Sequence, residues 1–461
     1  MDRVYGGALV TLVAASGTHA NAGLQGVQRD GGSTERSVHQ ESAEIQGTLL
    51  FAPLSGGQDL ESTPWNGRGW TFQERLLSRR IIAFADNELV WYCHAMTCRE
   101  DTPSGKADDD GIRPLQALTL KPSWFSGSGG TGKNTIWVDG SLETNRFGMT
   151  HLMRSGRFSE YIKAVQQYKH RQLTHQDDIL DAFAGLSSIF ERSFQARSLF
   201  GLLEIVFDVS LLWRPEGQLN RRNCGSENFP SWSWAGWEGA VCYDKPLTIS
   251  RNEDGVITGY TTSTQNEGEE GIRPLLRWHI WNADKRCFEP INGNLGRGFP
   301  VSEGGFPREW DSNAFGGKKH PHQLLPEGSV DLELLRPYHL MFSTSSVRSF
   351  RLGPPMDQAG KDRSQSRHVV LSARGGPAGA VTLDGLSASD EDRHGEQREF
   401  IVLAESHHLH RNGQVGEFED YLVMLVVQLG DTGIYERLGL GHISKTRWAA
   451  GEPEIKTVVL G

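Results

Sequence analysis

At 461 residues the chain is long enough for about three domains of the common ~150-residue size, so one compact core is not expected. Its 57 acidic against 47 basic side chains give a formal net charge of −10, which counts against a general affinity for nucleic-acid or anionic-lipid phosphates. A 37% hydrophobic share and 54 glycines point to long loops between modest cores, while 13 tryptophans and 20 phenylalanines exclude wholesale disorder.

Five cysteines, Cys93, Cys98, Cys224, Cys242 and Cys287, are few and odd in number, which does not read as a disulfide framework and fits a reducing, cytoplasmic compartment. Of the two longest apolar stretches, residues 199–213 are interrupted by Glu204 and Asp208, and residues 421–429 fall far short of the ~20 needed to span a bilayer. No membrane span is expected. The N-terminus imitates a secretory signal, with Arg3, an apolar run at 8–15 and Ala20-Asn21-Ala22 beyond it. Asp2 cancels the charge of Arg3, and Gly6-Gly7 break the run.

In chain order, residues 8–15 are small, apolar and β-branched and read as a short buried strand, followed by a polar loop over 25–44. Thr71 and Glu74 have the spacing of a capping box, which predicts a short helix over 72–78. Residues 80–84 and 88–93 are strand-like runs around Ala85-Asp86-Asn87 and predict a hairpin. Residues 99–150, rich in Asp, Gly, Ser and Pro, read as a flexible linker or insertion. Phe158, Tyr161, Ile162, Val165 and Tyr168 recur at helical spacing and should bury one face. Thr174 with Asp177 should open a second helix with Ile179, Phe183, Leu186 and Phe190 on its apolar side, and 200–213 a third. An aromatic extended segment, 229–237, closes this unit. From 246 the pattern turns to short strands in long polar stretches, the clearest at 368–372, 399–404 and 421–429. The division is 1–98, 99–150, 151–245 and 246–461, and the class is α+β.

Gly127-Ser128-Gly129-Gly130-Thr131-Gly132-Lys133-Asn134 approaches a phosphate-binding loop, but Asn134 stands where a Mg²⁺-binding hydroxyl is needed and a strand-like run follows where a helix must begin. Cys93 and Cys98, with His94 between, could supply two zinc ligands, but a structural site needs four and no second pair is suitably spaced. His407, His408, His410, His320 and His322 sit in polar surroundings and read as loop residues. No nucleophile elbow or H-E-x-x-H helix occurs, and no metal or cofactor is expected. Glu74 is the one carboxylate in a dense motif and so the candidate for acid–base chemistry, although a cap role accounts for it alone. Trp232, Trp234 and Trp237 alternate as in an extended ribbon filling a core or seam.

Arg68-Gly69-Trp70-Thr71-Phe72-Gln73-Glu74-Arg75-Leu76-Leu77-Ser78, continued by Arg79-Arg80 and by Trp91-Tyr92-Cys93, closely resembles the last motif block of the fungal heterokaryon-incompatibility (HET) domain. Residues 1–24 resemble the stretch before that block. Residues 168–185, 230–235 and, more faintly, 436–441 resemble regions downstream of it in such proteins. The family's opening blocks are not found, so the resemblance implies a HET domain entered part-way, with a partial TIR-like α/β fold over 1–98. It implies a role in non-self recognition and programmed cell death through association with protein partners, without a complete active site. The alternative is NAD hydrolysis by a longer form. The residues carried over are Arg68, Gly69, Trp70, Thr71, Phe72, Gln73, Glu74, Leu77 and Ser78.

Overall fold

The computed structural model describes residues 2–19, 21, 23–24, 42–51, 60–85, 89–93, 97–99, 157–194, 196–224, 229–243, 247–251, 257–264, 268–291, 330–356, 367–385, 396–408 and 419–461. They fall into two compact units, Met1–Arg146 with His170–Ile189, and Phe147–Lys169 with Phe190–Gly461. The glycine-rich loop at 127–134, most of the expected linker, and His320, His322 and His410 lie outside the described residues.

The first unit opens with a helix that the sequence did not announce, α1 (Asp2–Gly7), so the expected strand over 8–15 is shortened to β1 (Thr11–Ala14). A separate hairpin follows, β2 (Ser42–Ile45) and β3 (Thr48–Phe51), joined by Gln46 and Gly47, both at positive φ as a tight two-residue turn requires. Two short helices, α2 (Pro64–Gly67) and α3 (Thr71–Leu77), carry the chain to β4 (Arg80–Phe84), which pairs with β1 in parallel from Thr11↔Ile81 to Ala14↔Phe84. The predicted hairpin is present: β4 pairs antiparallel with β5 (Leu89–Cys93), Arg80 opposite Cys93, and β6 (Thr97–Arg99) adds at the far side. Val13, Ala15, Leu60, Trp65, Ile81 and Ala83 form the core. β1 is an edge strand in the order β1-β4-β5-β6, with Leu12 59% exposed.

In place of one helix opened by Thr174 and Asp177, the chain makes two 3₁₀ turns, Gln176–Ile179 and Asp181–Phe183, before a helix over Ala184–Phe194. The expected apolar residues Ile179, Phe183, Leu186 and Phe190 are nonetheless buried.

In the second unit the helix Arg157–Lys169 buries all five residues that its periodicity singled out. The helix expected over 200–213 is reduced to a 3₁₀ turn, Glu204–Val206, and one α-helical turn, Phe207–Ser210. Phe200 and Gly201 both have positive φ and turn Ser198–Leu199 back on Leu202–Leu203 as a tiny hairpin. Gly201 is required there twice over, because a Cβ would also lie 2.4 Å from the Trp234 ring. Six strands then close a ring: Leu340–Pro355, Arg367–Leu371, Pro377–Leu383, Ile434–Ser444, Asp420–Gln428 and Gln397–His408, the last pairing back onto the first. The result is a barrel filled by Val347, Phe350, Val370, Val381, Phe400, Val402, Val423, Leu425 and Ile443, with Trp448 packed against them. The three strands anticipated here are present, and the C-terminal half is β-rich. His407 and His408, expected in a loop, end the strand Gln397–His408.

The tryptophan segment is folded around a 3₁₀ turn, Trp234–Gly236, with Trp232, Trp234 and Trp237 all buried. Its carbonyls are met by buried cations. Lys169 Nζ donates to the carbonyls of Trp234 and Trp237, and Arg222 Nε to that of Ala235 at 3.1 Å. Burial, reinforced by the Arg222 charge, holds the Lys169 amine well below its ordinary range.

Asp208 accepts from Trp278 Nε1 at 2.8 Å, and burial pushes its carboxyl up to about 6. A folded-state value above the unfolded 3.8 means that the native state binds the extra proton, so stability is fullest below pH ~4 and falls as pH rises through 6. Asp208→Asn keeps an acceptor for Trp278. It is expected to flatten that slope and to raise stability at pH 8 by up to about 3 kcal/mol, read by urea unfolding of this unit at pH 4.5 and 8.

Candidate functional site

The site is built on α2, α3 and the turn between them. Thr63 caps α2, its Oγ1 accepting from Asn66 N at 3.3 Å and donating to Leu60 O at 2.8 Å, with Pro64 in the first turn, where the missing N–H costs nothing. The expected capping box on α3 is not formed: Trp70 holds the cap position without a side-chain bond, and Thr71 is already helical. The chain doubles back through α2, so the Thr71 hydroxyl meets carbonyls instead of amides. Its hydrogen is shared between Trp65 O at 2.5 Å and Arg68 O at 2.9 Å.

Glu74 accepts from Trp65 Nε1 at 3.3 Å, joining α3 to α2, and its charge stands beside the Tyr5 hydroxyl of α1. Burial, with the Glu74 charge beside it, pushes the Tyr5 hydroxyl up to about 12. Ser78 Oγ donates to Glu74 O at 2.6 Å, which leaves its lone pairs for Thr11 Oγ1 at 2.7 Å and so ties the end of α3 to β1. Leu77 is fully buried.

The remaining motif residues meet a segment a hundred positions further on, within the same unit. Gly69 N donates to Gln172 O at 2.7 Å and Gln172 N to Gly67 O at 2.8 Å. A Cβ at Gly69 would fall 2.4 Å from Leu173 Cδ2, so this approach needs glycine. Trp70 Nε1 donates to Asp178 Oδ2 at 2.9 Å. Phe72 stacks on Phe183 at 6.4 Å, and Gln73, with no exposed surface, accepts from Gly185 N at 3.1 Å while its Nε2 finds no partner among the described residues. Arg68 is exposed, its Nη2 3.4 Å from Thr18 O.

Sequence reasoning singled out Arg68, Gly69, Trp70, Thr71, Phe72, Gln73, Glu74, Leu77 and Ser78, and all belong to this one assembly. It missed Tyr5, Trp65, Asn66, Arg171 and Asp178. Only the resemblance over 168–185 hinted at the last two. Among the described residues no group of three or more His, Cys, Asp or Glu could hold a metal ion, and no helix is long and apolar enough to cross a membrane.

A parallel strand pair bridged by two short helices, whose polar residues tie those helices to their surroundings, defines a small α/β module. The sequence model of the family described as heterokaryon incompatibility protein (HET) matches residues 1–74, from α1 to Glu74 within α3. The N-terminal segment is therefore a HET-type sequence. No curated protein and no solved structure matches the chain.

Proposed function

We propose that the chain is a HET-type protein of fungal non-self recognition and programmed cell death, working in the cytoplasm through association with other proteins, and that its motif organises the module without catalysing a reaction. We read the module as a TIR-like α/β unit; the parallel pairing of β1 with β4 across the two helices supports this. One observation carries the proposal: Glu74, the only carboxylate of the motif, is held by Trp65 Nε1 at 3.3 Å. A carboxylate held in this way anchors helices and is poorly placed to take a proton from a substrate.

Two measurements test this. Purified chain incubated with NAD should release no nicotinamide, and robust turnover would overturn the reading. Glu74→Gln keeps one acceptor and should cost about 1–2 kcal/mol of stability in this unit. Expressed at a temperature where it stays folded, the variant should leave the incompatibility reaction intact. A variant with unchanged melting but no reaction would make Glu74 a chemical group after all.

A further inference from the structure

The turn between α2 and α3 forms a cradle for a guanidinium group. Arg171 lies in it, with its guanidinium carbon 4.7 Å from the centre of the Phe72 ring. Its Nη2 donates to Asn66 Oδ1 at 2.6 Å, and its Nη1 to Arg68 O at 3.2 Å and Thr71 Oγ1 at 3.3 Å. A flat aromatic face with several acceptors around one plane suits the planar fork of an arginine and not the compact ammonium of a lysine. The walls of the cradle come from α2, α3 and the turn between them, and Asn66 is fixed by Arg75 Nη1 at 2.7 Å and by the cap on Thr63. The occupant arrives from a segment a hundred residues away.

That segment is held in two unlike ways. From Ile179 onward it is anchored by the buried side chains Ile179, Ala182, Phe183 and Leu186. Over 170–178 no residue is buried, and the hold includes Arg171, the backbone bonds of Gln172 and the Trp70–Asp178 bond. The hold is therefore polar rather than apolar, a set of bonds of about 0.5–1.5 kcal/mol net each that a second segment offering the same groups could replace one for one.

We propose that the cradle of Asn66, Arg68, Thr71 and Phe72 is a docking site for an extended partner segment carrying an arginine and, seven positions later, an acidic residue, and that residues 170–178 close it in cis by presenting the same pattern, Arg171 and Asp178. The proposal rests on the reading of the chain as one that works by protein association. It identifies where that association occurs and what keeps it off.

A labelled peptide of residues 168–180 serves as the probe, added to the full chain. It should bind Arg171→Ala at least ~10-fold more tightly than the parent, whose cradle is filled, a difference of about 1.4 kcal/mol. The same peptide with its arginine replaced by alanine should not bind. Amide exchange keeps the test decisive: β4 and β5 must stay protected in the variant while the Gly69 and Gln172 amides lose protection. If Arg171→Ala fails this check, Asp178→Ala, which removes the acceptor of Trp70 Nε1 and leaves Arg171 in place, is used and should bind the peptide more tightly than the parent. A folded, opened variant that ignores the peptide, or binds the arginine-free peptide equally well, overturns the proposal and makes the segment a purely structural strap. Either result leaves the nicotinamide and Glu74 tests untouched.

Discussion

Asp384→Ala is expected to destabilise the barrel unit by about 3–5 kcal/mol, because it strands a buried guanidinium. Arg437 and Asp384 are both completely buried, with Nε 2.6 Å from Oδ2 and Nη2 3.0 Å from Oδ1. Arg437 also donates to Leu211 O at 2.7 Å and Trp213 O at 2.6 Å, and lies 3.7 Å from the centre of the Trp213 ring. An arginine stays protonated at any ordinary pH, so removing its partner leaves a charge that cannot be neutralised. Arg437→Met poses a milder problem. Burial already raises the Asp384 carboxyl against the lowering effect of the Arg437 charge, and without that charge the carboxyl rises further and folds protonated. The Arg437→Met deficit should therefore grow as pH rises from 5 to 8, while the Asp384→Ala deficit holds level or shrinks, because the parent's own raised carboxyl loses stability over the same range. The double variant should recover part of the loss. Urea unfolding of the four proteins at both pH values separates these outcomes, and equal, pH-independent losses in both single variants would show that the pair is held by packing alone.

The sequence was legible where one face of one element carried the information. The helix Arg157–Lys169 has five apolar residues on a single stripe, and the β4–β5 hairpin has two clean runs around a polar turn. Where an element serves several neighbours the pattern blurs. Leu340–Pro355 bends past four partner strands and buries Thr344, Ser345 and Ser346 along with its apolar residues, so it alternates in no simple way. The Phe200–Gly201 turn was hidden because a bulky residue at positive φ is not a turn signal. At the candidate site the tract from Arg68 to Ser78 could be read, but its contacts could not. Thr71 and Glu74 have capping-box spacing and yet bond elsewhere, since the chain before them folds back as α2. Arg171 and Asp178 reach the motif across a hundred residues, and spacing rules describe only near neighbours.

Gly379→Ala and Gly441→Ala should each cost about 3 kcal/mol, for a reason set by the closure of the barrel. The two glycines lie on neighbouring strands, Gly379 opposite Ile443 and Gly441 opposite Val381. A Cβ at Gly379 would stand 1.9 Å from His442 O, and one at Gly441 2.1 Å from Ala380 O. Both obstacles are backbone atoms. A side chain in the way could rotate, whereas relieving these clashes means moving a strand, and overpacking of this kind commonly costs 1–3 kcal/mol even where the surroundings can give. Each strand of the ring is paired on both sides, so a shift at this seam must be absorbed by the pairs Pro377–Leu383 makes with Arg367–Leu371 and Ile434–Ser444 makes with Asp420–Gln428. Gly376 is the control: its nearest neighbour would be Ser372 Oγ at 3.8 Å, and Gly376→Ala should change stability by no more than about 0.5 kcal/mol. Thermal unfolding of the three variants, with amide exchange along Pro377–Leu383, distinguishes a local clash from a loosened ring. Exchange confined to Gly379 and its neighbours would mean the strand bulges outward and the ring survives. Faster exchange along the whole strand would mean that the seam between Pro377–Leu383 and Ile434–Ser444 opens as one piece, the result expected of a barrel that depends on strands packed too closely for any side chain between them.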